Sequence, residues 1–112
     1  MNFNEFCERI DSKILTNSSV LNEDKLFIEN IYICDLLSKV MSTAQSGDAW
    51  ITVLNSVNVI AVALLTEVVC VVLSEGIEFQ KEILEKAEKE GVTILSTRLN
   101  AYEICLKIGN IK

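Results

Sequence analysis

The stretch from Ala49 to Leu73 limits the possible folds more than any other part of the chain. It reads Ala-Trp-Ile-Thr-Val-Leu-Asn-Ser-Val-Asn, then Val-Ile-Ala-Val-Ala-Leu-Leu-Thr-Glu, then Val-Val-Cys-Val-Val-Leu. Two apolar runs rich in β-branched residues, Trp50 to Leu54 and Val68 to Leu73, enclose a segment of about one helix length. Short runs of this kind, bounded by polar residues, suit strands buried on both faces. The enclosed segment opens with Asn55, Ser56 and Asn58, all residues that favour a helix N-cap. Strand, polar turn, helix and strand make a βαβ unit, whose crossover forces the two strands to run parallel.

The same pattern extends in both directions. Phe3, Phe6, Cys7 and Ile10 recur at helical spacing, and Lys13 to Thr16 is a short extended piece ending in the polar turn Asn17-Ser18-Ser19. Asn30 to Cys34 reads as a strand. Asp35 then caps a helix whose inward side is Leu36, Leu37, Val40, Met41 and Ala44, with Gly47 as its stop. Beyond Leu73 comes the turn Ser74-Glu75-Gly76, in which Gly76 supplies a positive φ. A helix over Glu78 to Glu90 follows, with Phe79, Ile83, Leu84 and Ala87 inward. Glu82–Lys86 and Glu85–Lys89 are in the favourable i, i+4 order, and Gly91 closes this helix. Val92 to Leu95 is a further strand, and Ser96-Thr97-Arg98 a further turn. Asn100 and Glu103 have capping-box spacing ahead of a last helix with Ala101, Ile104, Cys105 and Ile108 inward. The expected fold is α/β: one three-layer domain over residues 1–112, with a mostly parallel sheet of about four to five strands and helices on both faces.

Composition narrows the function classes. A formal net charge of −6 with no basic patch argues against nucleic acid and anionic membranes, which need clustered Lys and Arg. Neither uninterrupted apolar piece reaches the roughly 20 residues of a spanning helix. Met1 to Ile10 carries Glu5 and Glu8 and does not read as a secretory signal, so a cytoplasmic location is expected. There is no histidine, which rules out Ser-His and Cys-His nucleophiles. Cys7, Cys34, Cys70 and Cys105 are too far apart for a metal motif, and Cys7, Cys70 and Cys105 fall on predicted core faces. Phosphate-loop and dinucleotide fingerprints are absent. No metal, cofactor or catalytic residue is expected. Trp50 and its neighbour Tyr32 read as core or interface residues.

In open parallel sheets, ligands sit outside the carboxyl ends of the strands. The turns that would gather there supply the candidate binding residues: Asp35, then Asn55, Ser56 and Asn58, then Glu75 and Gly76, then Ser96, Thr97 and Arg98. These same residue types cap helices and turn chains in any parallel sheet, so capping alone accounts for most of them. Asp35 reads first as a cap and second as a catalytic carboxylate. A helix dipole contributes only about 0.3–1 kcal/mol at a surface. Arg98 must therefore carry any anion-binding role on so acidic a chain.

Trp50-Ile-Thr-Val-Leu, Ile60-Ala-Val-Ala-Leu-Leu, Cys70-Val-Val-Leu-Ser-Glu-Gly76 and Gly91-Val-Thr-Ile-Leu-Ser-Thr97 together resemble the DRTGG domain in order and spacing. Cys34-Asp-Leu-Leu-Ser-Lys-Val-Met41 and Gly47-Asp-Ala-Trp-Ile-Thr52 are similar to its short standalone members. The family's Gly-Asp-Arg turn is here Asn55-Ser56-Val57-Asn58, without the charged pair. The resemblance implies an α/β regulatory module, usually a homodimer, with no catalysis of its own. Similar domains accompany CBS pairs in regulatory pyrophosphatases, sit within longer phosphate acetyltransferases, and form the N-terminal domain of HPr kinase/phosphorylase. The kinase half is missing here, so a kinase label does not carry over. Nor does adenine-nucleotide binding, which belongs to the CBS pair. Standalone members often lie near genes for hydrogenases and ATPase-type regulators, which implies a protein partner in a signalling or redox-enzyme system. The alternative is a sensor of an anionic metabolite or nucleotide at the strand C-terminal edge.

Overall fold

A computed structural model describes residues 1–16 and 26–111. The order is α1 (Phe3–Arg9), β1 (Lys13–Ile14), β2 (Asn30–Ile33), α2 (Leu37–Thr43), β3 (Asp48–Thr52), α3 (Asn58–Thr66), β4 (Cys70–Leu73), α4 (Lys81–Glu90), β5 (Ile94–Ser96) and α5 (Ala101–Ile108). One five-stranded sheet runs β1-β5-β4-β3-β2. The four later strands are parallel, and β1 lies antiparallel on β5 with Lys13 opposite Ser96. The βαβ unit read from Trp50 to Leu73 is present, with Trp50 paired to Val71 and Tyr32 paired to Trp50. The turn expected at Asn17–Ser19 lies outside the described residues.

Because β2 to β5 are laid down side by side in chain order, right-handed crossovers repeated in one direction put all their helices on one face. Period-2 alternation along the strands then divides the core. Trp50, Val71, Leu73 and Ile94 pack under α2, α3 and α4 with Val40, Val59, Ile60 and Ala87. Ala49, Ile51, Cys70, Val72 and Leu95 face the other way, against Phe3 and Phe6 of α1, Ile10 at its C-cap, and Ile104 and Ile108 of α5. Every residue of β3 and β4 is buried, as strands covered on both sides require. Trp50 is the largest of the fully buried side chains, and its indole N–H donates to the Cys34 carbonyl at 2.9 Å. A buried indole needs such a partner, because leaving the N–H unpaired costs about 1–3 kcal/mol.

Several local expectations are corrected. Helix α2 starts after Leu36 and lacks a side-chain cap, so Asp35 is not its N-cap. Leu36 and Met41 are exposed at 63% and 50%, leaving Val40 as that helix's buried residue. The helix ends at Thr43, and Gly47 instead takes φ 94° in the turn into β3. A Cβ there would meet the Glu29 carboxylate at 2.7 Å. Asn55, Ser56 and Asn58 do not cap α3, whose N-cap position is Val57 in helical geometry. Helix α4 starts at Lys81, after Phe79 has already entered the core. The strands are shifted too: β3 begins at Asp48, β4 at Cys70, and β5 spans Ile94–Ser96. Cys105 is exposed, since Ile104 and Ile108 set the inward direction of α5 and Cys105 lies to one side. The Asn100–Glu103 capping box is present as read, and Gly91 ends α4 at φ 77°. Among the described residues no Glu82–Lys86 or Glu85–Lys89 ion pair closes within 4.0 Å, whereas Arg9 and Glu5 meet at 2.8 Å. Solvated pairs of this kind gain little by closing.

Candidate functional site

Parallel pairing places the ends of β2, β3, β4 and β5 along one rim, so the four expected turns do share an edge. They do not converge on one site. At the β2–β3 end, Asp35 Oδ1 accepts hydrogen bonds from the Thr52 hydroxyl at 2.7 Å and the Val53 N–H at 3.0 Å. Thr52 Oγ1 in turn accepts from the Leu54 N–H at 3.1 Å. The carboxylate thus ties the exit of β2 to the exit of β3. Asn55 reaches sideways, its amide donating to the Glu78 carbonyl at 3.2 Å, which links the turn before α3 to the loop before α4. Ser56 and Asn58 are exposed beside it.

The other half of the rim is concave. A cleft of about 370 Å³ is lined by Asp11, Lys13, Gly76, Glu78, Ser96, Thr97, Arg98 and Leu99. Its position follows from the topology. The connection after β4 goes to the α2–α4 face, whereas the connection after β5 goes to the α1–α5 face. Neighbouring strands whose chains leave in opposite directions open a crevice between them. Backbone bonds hold its floor: Gly76 N–H donates to the Thr97 carbonyl at 2.9 Å, and Glu75 N–H to the Leu99 carbonyl at 2.9 Å. Glu75 and Gly76 both take positive φ, 59° and 73°, to make this turn. Thr97 is buried; its hydroxyl donates to the Ile10 carbonyl at 2.8 Å and accepts from the Leu99 N–H at 3.2 Å. Thr52 and Thr97 therefore make the same hydroxyl turn at the ends of their strands.

Gly76, Ser96, Thr97 and Arg98 line the cleft, while Asp35, Asn55, Ser56, Asn58 and Glu75 do not. Asp11, Lys13, Glu78 and Leu99 were missed by sequence reasoning. Asp11 and Lys13 arrive because β1 pairs with β5, and nothing local in Lys13–Thr16 announces that partner. The cleft carries Lys13 and Arg98 against Asp11 and Glu78, a balance of sign. The nearby N-terminus of α5 is closed by its own capping box, with the Glu103 carboxylate already in the first turn. An anion in the cleft would thus be held by Arg98 and Lys13, not by helix N–H groups. At the opposite, N-terminal edge, a shallower hollow of about 600 Å³ is lined by residues including Met1, Phe27, Glu29, Asp48 and Ile111, none of them a candidate.

Among the described residues no cluster of three or more Cys, Asp and Glu is placed to hold a metal ion. No helix there is long and apolar enough to cross a membrane. Burial pushes the Cys70 thiol well up from its ordinary value, with Cys7 nearby adding to the shift, which keeps it protonated and unreactive.

Comparison with known proteins agrees with this architecture. Among solved structures, the chain is similar to the CBS and DRTGG domains of the regulatory region of Clostridium perfringens pyrophosphatase, complexed with the activator diadenosine tetraphosphate. The TM-score is 0.76 at 17% identity, covering 96% of this chain and 45% of that one. At that identity the likeness concerns the fold, and this chain spans less than half of its neighbour. No curated protein sequence gives a significant match. Residues 5–111 match the family model of the DRTGG domain. With that match running from α1 to just past α5, the chain belongs to the DRTGG domain family.

Proposed function

We propose that the chain, acting as one unit over residues 1–112, is a non-catalytic regulatory module. It works as a homodimer in the cytoplasm and signals to a protein partner, in keeping with a regulatory role in a signalling or redox-enzyme system. One observation carries this reading. Three polar side chains of the rim, Asp35, Asn55 and Thr97, are engaged within the chain, whereas large apolar side chains such as Leu36, Leu65, Tyr102 and Leu106 stay exposed at 63–71%. A surface arranged in this way favours protein contact over chemistry on a small substrate. Light scattering on a size-exclusion column tests it: a dimer is expected, and a strict monomer at high concentration would count against the homodimer.

A second reading has the cleft between β4 and β5 in its favour, because Arg98 and Lys13 both border it. In that reading the module senses an anionic metabolite or nucleotide there. A thermal-shift panel of nucleotides and acyl phosphates tests it. Ligand at 100 times its dissociation constant adds about 2.7 kcal/mol of stability, and Arg98→Ala is expected to abolish the shift. No shift with any of these anions would remove this reading.

A further inference from the structure

Helix α3 departs from the pattern of a surface helix. No charged residue occurs between Asp48 and Glu67. Its inward side is Val59, Ile60, Val62, Ala63 and Thr66, all buried. Its outward side is Ala61, Leu64 and Leu65, continued by Val57 at the N-cap position, so that the four fall at i, i+4, i+7 and i+8 from Val57; all are exposed, and the exposed Asn58 at the start of the helix borders them. Val57, Leu64 and Leu65 are 45%, 42% and 65% accessible. From Val59 to Leu65 the helix is apolar all round, the mark of a helix covered on all sides, yet among the described residues its cover is the sheet and its neighbours α2 and α4. It is also the central helix of its layer, so the bare stripe lies mid-face and not at an edge.

Building on the homodimer reading above, we propose that the outward face of α3 is the surface through which two copies of this chain pair. Charge decides between a second copy and a different protein. Each chain carries a formal net charge of −6, so two copies repel wherever their acidic surfaces meet. The uncharged run around α3 is where they approach without setting like charges opposite each other. A two-fold interface also requires one patch to complement itself, which a neutral apolar stripe does. A partner of different sequence would be selected largely by complementary charge, and this stripe has none with which to select it. The exposed Met41 of the adjacent helix α2, and Leu36 just before it, extend the same layer with more apolar surface.

The test compares three full-length chains by light scattering over a range of concentration, with far-ultraviolet circular dichroism to confirm folding. Leu65→Glu on α3 is expected to raise the dimer dissociation constant about thirtyfold or more, the equivalent of about 2 kcal/mol at 1.4 kcal/mol per decade. Leu106→Glu, on α5 across the sheet, is expected to leave it unchanged. Raising the ionic strength is expected to hold or strengthen the wild-type dimer, because salt screens the repulsion between the two acidic chains. A wild-type monomer at every concentration overturns the homodimer reading and this interface with it. A wild-type dimer that survives Leu65→Glu, or that falls apart with salt, overturns the α3 interface alone. Should Leu65→Glu fail to fold, Ala61→Arg on the same stripe is read in its place.

Discussion

Helices α3 and α4 lie side by side on one face of the sheet, each the crossover of a βαβ unit, yet they treat their outer sides in opposite ways. Helix α4 buries Ala87, half-buries Ile83 and Leu84, and turns Glu82, Glu85, Lys86 and Lys89 to solvent. Helix α3 buries more and turns Ala61, Leu64 and Leu65 outward. The sheet needs the inward sides of both, but it sets no requirement on their outward sides. What lies on the outside is therefore free to answer to what each helix meets beyond its own chain: water for α4 and, under the pairing proposed above, the apolar face of a second copy for α3.

Substitution separates what each helix owes to its own sheet from what it presents outward. Ile60→Ala, at a fully buried position of α3, should cost about 2–5 kcal/mol in urea unfolding at fixed protein concentration. A cost below about 1 kcal/mol would mean that α3 is not anchored by its inward side. The opposite face of the sheet offers a pH probe through Cys70. Its folded pKa is raised by burial, so its contribution is fully present below the unfolded thiol value of ~8.5. That contribution drains away as pH climbs from there toward the folded value, by about 1.4 kcal/mol per unit. Cys70→Ala should flatten that alkaline slope, and a thiol reagent should label exposed Cys105 long before Cys70. Asn100→Ala removes the side-chain cap that α5 has and α3 lacks, and should cost about 1 kcal/mol. Smallest of all, Glu85→Ala on the outer side of α4 should stay within about 0.5 kcal/mol, since that side chain is exposed and makes no ion pair among the described residues.

Much of this fold was legible in the chain because its strongest signals are local. The β-branched runs of β3 and β4, the capping box of α5 and the glycine after α4 each depend on residues close in sequence. The candidate site was less legible because its deciding contacts are not local. Asp35 stands where a cap is expected, but Thr52, 17 positions away, offers its hydroxyl and takes the carboxylate instead. Cys105 is next to Ile104 on a helix, and a stripe about 100° wide does not decide which neighbour is buried. Asp11 and Lys13 join the cleft only through the pairing of β1 with β5, which no turn or spacing announces.

That pairing also has a bearing on the order of assembly. Each later strand can dock beside the one before it after closing a loop of roughly 20 residues, as from Ala49 to Cys70. The seam between β1 and β5, where the Ile94 N–H donates to Thr16, joins positions 78 apart. Two doublings of loop length add about 1.2 kcal/mol of closure entropy. The seam is then the last part of the sheet to zip and the first to fray, and amide exchange at Leu15 and Ile94 running faster than at Val71 is the expected trace. During synthesis, β1 emerges before the other four strands of its sheet and waits for three of them before its partner exists.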